Sequence, residues 1–116
     1  MRDSTGHSFA SYFKRAVSPI MVQSLLREKP MYGYELSNLI TKRSNAKLNI
    51  AVLYPVLYRL EEQNFIEITD TVVENGRARN YYAITPTGIE YVEKTVAELR
   101  ELTQTFFNVV DQEEVR

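Results

Sequence analysis

Hydrophobic positions along this chain follow a helical period for most of its length, break once into alternation, and then return to the helical period. From Ser8 to Val17, Phe9, Tyr12 and Phe13 fall at helical spacing beside Lys14 and Arg15, which predicts a short amphipathic helix or an arm. Ser18-Pro19 reads as a helix start, serine as N-cap and proline in the first position, with Met21, Val22, Leu25 and Leu26 available for burial and Pro30 as terminator. Gly33 marks a tight corner, and Leu36, Leu39 and Ile40 give the stripe of a second helix that stops in a polar stretch around Ser44 and Asn45. In the stretch from Asn49 to Asn64, Leu53, Leu57 and Leu60 recur at intervals of four and three, predicting a third helix capped by Asn49. Pro55 would then lie inside that helix and bend it or delay its start.

Past Asn64 the period becomes two. Ile66 and Ile68 alternate with Glu67 and Thr69, and Tyr82 and Ile84 share a face opposite Tyr81. Asn75-Gly76 between these runs is a hairpin signal, placing Arg77 and Arg79 at the tip. Thr85-Pro86 restarts a helix over residues 87–110, about 36 Å long. Along it Val92, Leu99 and Phe106 stand seven apart, with Val96, Leu102, Val109 and Val110 filling positions beside them. So long a helix exceeds what a small domain can cover, and a second copy of the chain is the economical partner; folding back as a core helix is the competing arrangement. The expected fold class is mainly α with a small β-hairpin (α+β): a winged helix-turn-helix plus a C-terminal dimerisation helix. Residues 1–17 form an arm or short helix, 18–85 the winged helix-turn-helix, and 86–116 the dimerisation helix and acidic tail.

Composition narrows the chemistry. With 116 residues the chain suits one domain, and the absence of cysteine removes disulfides, thiolate catalysis and cysteine-ligated zinc. The start of the chain lacks the apolar core of a signal peptide and no apolar run reaches the length of a membrane span, so a cytoplasmic setting is expected. The glycines at 6, 33, 76 and 88 are isolated, which excludes a phosphate-cradling loop. His7, the one histidine, stands in the N-terminal stretch as a bystander. No catalytic constellation is visible; no enzyme activity, cofactor or metal is expected.

Net charge is −1, but it is unevenly spread. Residues 1–47 hold eight Lys/Arg against three Asp/Glu, residues 48–84 three against five, and residues 85–116 three against seven. A basic first half and an acidic tail would turn one surface towards polyanions. The outward side of the third helix fits that picture, because Ala51, Tyr54, Pro55, Tyr58 and Arg59 offer small, aromatic and cationic groups before acid arrives at Glu61 and Glu62. Lys42, Arg43 and Lys47 precede it and would hold phosphates. Phe9, Tyr12, Phe13, Phe106 and Phe107 either line a site for a small uncharged aromatic effector or serve as plain packing.

Three segments, in order, resemble the PadR family of bacterial transcriptional regulators. PMYGYELSNLI carries Gly33, Tyr34 and Glu35 of the family's second helix; LYPVLYRLEEQNFIE carries Tyr54, Pro55, Leu57, Arg59, Leu60 and Glu61 of its recognition helix; GRARNYYAITPTG carries Gly76, Arg77, Arg79, Tyr81, Tyr82, Thr85 and Gly88 of its wing and last-helix start. The resemblance covers roughly residues 18–90. It implies a dimeric DNA-binding repressor with a pseudo-palindromic operator, of the short-chain branch with a single C-terminal helix. The implied DNA-contacting set is Tyr34, Lys42, Arg43, Lys47, Asn49, Ala51, Tyr54, Pro55, Tyr58, Arg59, Arg77 and Arg79. Val92, Val96, Leu99, Leu102, Phe106, Val109 and Val110 are the implied dimerisation set, and Phe9, Tyr12, Phe13 and Phe106 the ligand-binding candidates. Some relatives of this branch bind flat hydrophobic drugs on a tryptophan at the dimer interface; this chain has none, so that contact does not carry over. Asn64 replaces the glycine usual after the recognition helix, and Ala78 and Asn80 stand where the wing is often basic. A winged-helix module that binds protein, or a ligand binder without DNA, is the alternative to a DNA-binding regulator.

Overall fold

The computed structural model describes residues 7–50 and 52–111. Its first helix, α1 (Phe9–Leu26), begins at Ser8, whose hydroxyl accepts the Ser11 N–H at 3.2 Å. The expected start at Ser18-Pro19 is therefore not observed: α1 runs through it without a break, and the 17/18 boundary falls inside a helix. Ser18 is buried and its hydroxyl donates back to the Lys14 carbonyl, a bond made within a helix and not by an N-cap. An interior proline costs about 3 kcal/mol. Val17, Val22, Leu25 and Leu26 all become buried along α1, at about 1.5–3 kcal/mol each, so burial prevails.

Two residues, Met31-Tyr32, form the short strand β1, and α2 (Gly33–Arg43) follows directly. The Glu35 carboxylate accepts the Tyr32 N–H at 3.2 Å, satisfying one donor at the helix start and explaining the acid in Gly33-Tyr34-Glu35. Ser44 closes α2 by donating to the Ile40 carbonyl at 2.7 Å and accepting from the Leu48 N–H at 2.9 Å. Asn45 and Ala46 take positive φ of 53° and 65° in the turn that follows.

Helix α3 (Leu53–Glu62) starts later than its sequence pattern predicts. Val52 is its N-cap residue, and Asn49 lies upstream, accepting from Lys14 Nζ at 3.4 Å. Pro55 is the third residue of the helix, where its missing N–H would have had no partner within the helix, so no bend is required. Asn64 ends the segment at φ 63°, the left-handed position that glycine would fill without strain.

Strands β2 (Ile66–Glu74) and β3 (Arg77–Ile84) form the hairpin, with Asn75 and Gly76 at φ 52° and 75° as a two-residue turn of positive φ requires. β1 adds to β3 antiparallel, pairing Met31 with Tyr82 and Tyr32 with Tyr81, so the sheet order is β1-β3-β2. Ile66 is buried as expected, but Ile68 is 40% exposed. The register shifts between Ile68 and Asp70, and beyond that point the hairpin leaves the body of the domain as a wing. The core is built from Val22, Met31, Leu36, Leu57, Ile66 and Tyr82, contributed by α1, β1, α2, α3, β2 and β3.

Helix α4 (Pro86–Val110) begins as its sequence predicts. The Thr85 hydroxyl accepts the Gly88 N–H at 3.0 Å and donates to the Asn64 carbonyl at 2.6 Å. The Thr85 N–H donates to the Phe65 carbonyl at 3.0 Å, and the Phe65 and Tyr91 rings stack at 4.5 Å. These contacts fasten the base of α4 to the end of α3. Val92 is buried and Arg27 pairs with Glu93 at 3.0 Å, holding the first half of α4 on α1. Every residue of 101–110 is exposed. The radius of gyration, 16.8 Å, exceeds the about 13 Å of a compact chain of this length. α4 thus neither folds back over the core nor leaves it entirely: its base packs and its far half projects.

Candidate nucleic-acid interface

Successive residues of an α-helix are about 100° apart, and that rotation sorts α3. Leu53, Leu57 and Leu60 are buried together, and the opposite, outward ridge is occupied by Pro55 and Glu62. Tyr58 and Arg59 flank that ridge on opposite sides, and Tyr58 is 59% exposed. Tyr54 turns towards the wing, its ring centroid 6.4 Å from that of Tyr58. Glu62 on the ridge is an acid where a polyanion would approach, confined to the last residue of the helix.

On the wing side of α3 lies a cleft of about 570 Å³ between the start of α2, the start of α3 and β3. Tyr34, Tyr54, Arg77, Arg79 and Asn80 line it, and among the described residues no carboxylate does. The two wing arginines differ in kind. Arg79 is half-buried, its guanidinium 4.8 Å over the Tyr32 ring and its Nε 3.0 Å from a Glu74 carboxylate oxygen. That Nε makes no hydrogen bond, so the pair with Glu74 is electrostatic only. Arg77 is exposed and makes no ion pair among the described residues. Below the cleft, Tyr82 is buried and Tyr81 half-buried, and burial is the main cause pushing both phenols above the ordinary tyrosine range.

On the other flank a second cleft, about 360 Å³, separates α3 from α1. Lys14, Arg15 and Arg59 line it with Ser11 and Asn49, without a carboxylate among the described residues. Arg15 also lies 5.4 Å from the centre of the Tyr12 ring. The spacing around Lys14 and Arg15 predicts a short amphipathic helix or an arm and carries no sign of this placement, since only the long-range packing of α1 on α3 brings them beside Arg59.

Of the remaining DNA-contact candidates, Tyr34, Lys42, Lys47 and Asn49 are exposed. Arg43 is committed elsewhere, in a two-bond pair with Glu28 at 2.7 and 3.0 Å. The Arg43 hydrogen bond is the first cause holding the Glu28 carboxyl below its usual range. Ala51 falls outside the described residues. Among the aromatic ligand candidates only Phe13 lines the apolar groove of about 430 Å³ between α1 and α2, a groove that Leu99 of α4 borders. Phe9 and Phe106 are 80% and 56% exposed, and Tyr12 meets the His7 ring at 2.9 Å. Val92 is buried within its own subunit and so is removed from any surface; Val96 and Leu99 are half-buried, and Leu102, Phe106, Val109 and Val110 are open. Among the described residues no group of acids and histidine could hold a metal ion, and no helix is long and apolar enough to cross a membrane.

Residues 22–94, which span the helix-turn-helix, the wing and the base of α4, match the transcriptional regulator PadR-like family. The chain belongs to that family. An uncharacterised protein from Lysinibacillus sphaericus is 38% identical over 91 residues, 74% of this chain and 84% of that protein. A transcriptional regulator from Clostridium thermocellum superposes with a TM-score of 0.74 at 32% identity, covering 90% of this chain and 99% of that one. A PadR-like transcriptional regulator from Bacillus cereus gives 0.71 at 26% identity over 85% and 96%. This PadR-like chain is accordingly a transcriptional regulator, as the structures it superposes on are described to be. The family also accounts for the architecture: among the described residues, four helices with a three-stranded antiparallel sheet in a winged-helix arrangement.

Proposed function

We propose that this regulator is a homodimeric repressor that binds duplex DNA through α3 and the wing and is released by a small uncharged aromatic effector. The observation that carries the reading is the outward side of α3, where Tyr58 and Arg59 flank an uncovered ridge and Tyr54 shares a cleft with the exposed Arg77. Inserted in a major groove, that side offers Tyr58 and Arg59 to base edges or phosphates, with Tyr54 and Pro55 shaping the approach. Tyr34, Lys42, Lys47 and Asn49 surround it as backbone contacts. Arg77 reaches phosphates or the minor groove from the wing, while Arg79, held by Tyr32 and Glu74, positions the wing. The body from α1 to β3 then serves as the reading domain, in place of one starting at residue 18, and 86–116 as the dimerisation segment. Leu102, Phe106, Phe107, Val109 and Val110, all 47% exposed or more, support a second α4 as the covering partner. Two-fold symmetry sets the half-sites of a pseudo-palindrome about 34–36 Å apart.

Gel shifts with genomic fragments, including the DNA upstream of its own gene, test the reading, with sedimentation to give the assembly state. Expected are a dimer and salt-sensitive binding of a few fragments. A stable monomer, or indifference to every duplex at low ionic strength, overturns it. Glu62 on the outward ridge favours the second reading, a protein-interaction module, which predicts that same indifference to DNA.

A further inference from the structure

The cleft between α1 and α3 brings Lys14 and Arg15 of α1 beside Arg59 of α3. We infer that Lys14, Arg15 and Arg59 form a second backbone clamp, holding DNA phosphates on the strand opposite the one the wing holds. This rests on the DNA-binding reading above and extends it to a surface outside the helix-turn-helix.

The argument is geometric. A major groove about 12 Å wide is walled by two sugar-phosphate ridges, one on each strand. A helix inserted between them therefore needs cations on both flanks. On one flank of α3 stand the wing and Arg77; on the other stand Lys14 and Arg15 of α1 together with Arg59 of α3 itself. Ile50 lines both clefts, so the segment leading into α3 is the partition between them. The α1 cleft carries three cations, the Ser11 hydroxyl and the Asn49 amide, with no carboxylate among the described residues that line it. Lys14 Nζ is already directed at Asn49 Oδ1, a long bond of 3.4 Å to a neutral acceptor that a phosphate oxygen would replace with an ion pair. Proline in α1 is compatible with this role, because the helix remains continuous past Pro19 and carries Lys14 and Arg15 to the α3 side as part of one rigid rod.

The test uses full-length protein, the Lys14→Gln/Arg15→Gln double variant and an Arg77→Ala control, on one fragment that the wild type binds and on one unrelated duplex. Loss of two phosphate contacts per subunit, four per dimer, makes the slope of log affinity against log salt about 3.6 less steep, so the fall in affinity between 50 and 200 mM salt shrinks about 150-fold. The effect is equal on both duplexes, since phosphates carry no sequence. Ethylation interference then locates the contacts: the double variant loses interference on one strand of each half-site and Arg77→Ala on the other. Circular dichroism and a melting curve confirm that both variants fold; should the double variant fail to fold, interference on wild type alone decides, by showing whether phosphates on both strands flank each half-site. An unchanged slope and interference pattern in the folded double variant, or wild-type interference on a single strand, overturns the clamp. A loss confined to the selected fragment also overturns it, because it denotes base reading. If the wild type binds neither duplex, the DNA-binding reading itself has failed, which is a separate result.

Discussion

The phenol oxygen of Tyr54 lies 2.7 Å from the place a Cβ on Gly33 would occupy, and its Cζ lies 3.0 Å away. Glycine at the first position of α2 is thus what lets the first turn of α3 close over it. The two residues belong to different sequence motifs, and their contact is the seam of the helix-turn-helix.

Gly33→Ala tests whether the position of Tyr54 matters. The clash falls on the far end of a flexible side chain, which can swing aside, and alanine is favoured over glycine in a helix by about 1 kcal/mol. Thermal stability is therefore expected to stay within about 1 kcal/mol of wild type, while duplex affinity falls about tenfold through displacement of Tyr54. Melting curves and gel shifts on one preparation check both. An unaltered affinity would remove Tyr54 from the interface.

Gly88→Ala should behave in the opposite manner. A Cβ there would stand 2.1 Å from the Phe65 carbonyl oxygen and 2.8 Å from Ile84 Cγ1. Backbone cannot step aside as a tyrosine tip can, so the expected loss is about 3 kcal/mol. A melting temperature lower by at least about 10 °C is the corresponding readout. A drop of only a degree or two would mean that the joint between α4 and the α3 turn is looser than described.

Ala46→Gly is expected to stabilise. Ala46 holds a φ of 65°, a conformation that costs an L-residue about 1 kcal/mol or more and glycine nothing. Part of that gain is offset by the greater freedom of glycine in the unfolded chain, leaving about 0.5–1 kcal/mol in a urea titration. Destabilisation by the same substitution would contradict the left-handed turn.

Tyr82→Phe addresses the alkaline limit of stability. Burial raises the Tyr82 phenol above its unfolded value of 10.0, so the folded state binds the proton more tightly than the unfolded chain does. Its contribution is complete below pH 10 and is lost as pH rises through the folded value. Wild type should therefore lose stability relative to Tyr82→Phe above about pH 10, and the two should run parallel between pH 7 and 9. Parallel curves throughout would show that Tyr82 ionises equally in both states.

Features carried by adjacent residues were legible in the sequence. Asn75-Gly76 makes its turn from its own dihedral preferences, Thr85-Pro86 caps α4 with atoms three residues away, and Asn64 takes the left-handed position its amide tolerates. Ser18-Pro19 carries an equally good local signal and misleads, because Ser8 offers an earlier cap and the burial of α1 outweighs the proline. Strand β1 has only two residues and exists through its pairing with Tyr81 and Tyr82, some fifty positions away, so no local pattern announces it. The site divides in the same way. Tyr58 and Arg59 could be assigned to the outward side of α3 from helical spacing alone. That Arg79 is tied to Glu74 and Tyr32, that Arg43 is tied to Glu28, and that Lys14 and Arg15 stand beside Arg59 are all products of tertiary packing.

Thr85 is bonded to both Asn64 and Phe65, and Tyr91 is stacked on Phe65. The last turn of α3 and the root of α4 consequently share one joint, with no length of slack chain between them. A change in the direction of α4 at its root therefore has to be borne by the Asn64-Phe65 turn that closes α3.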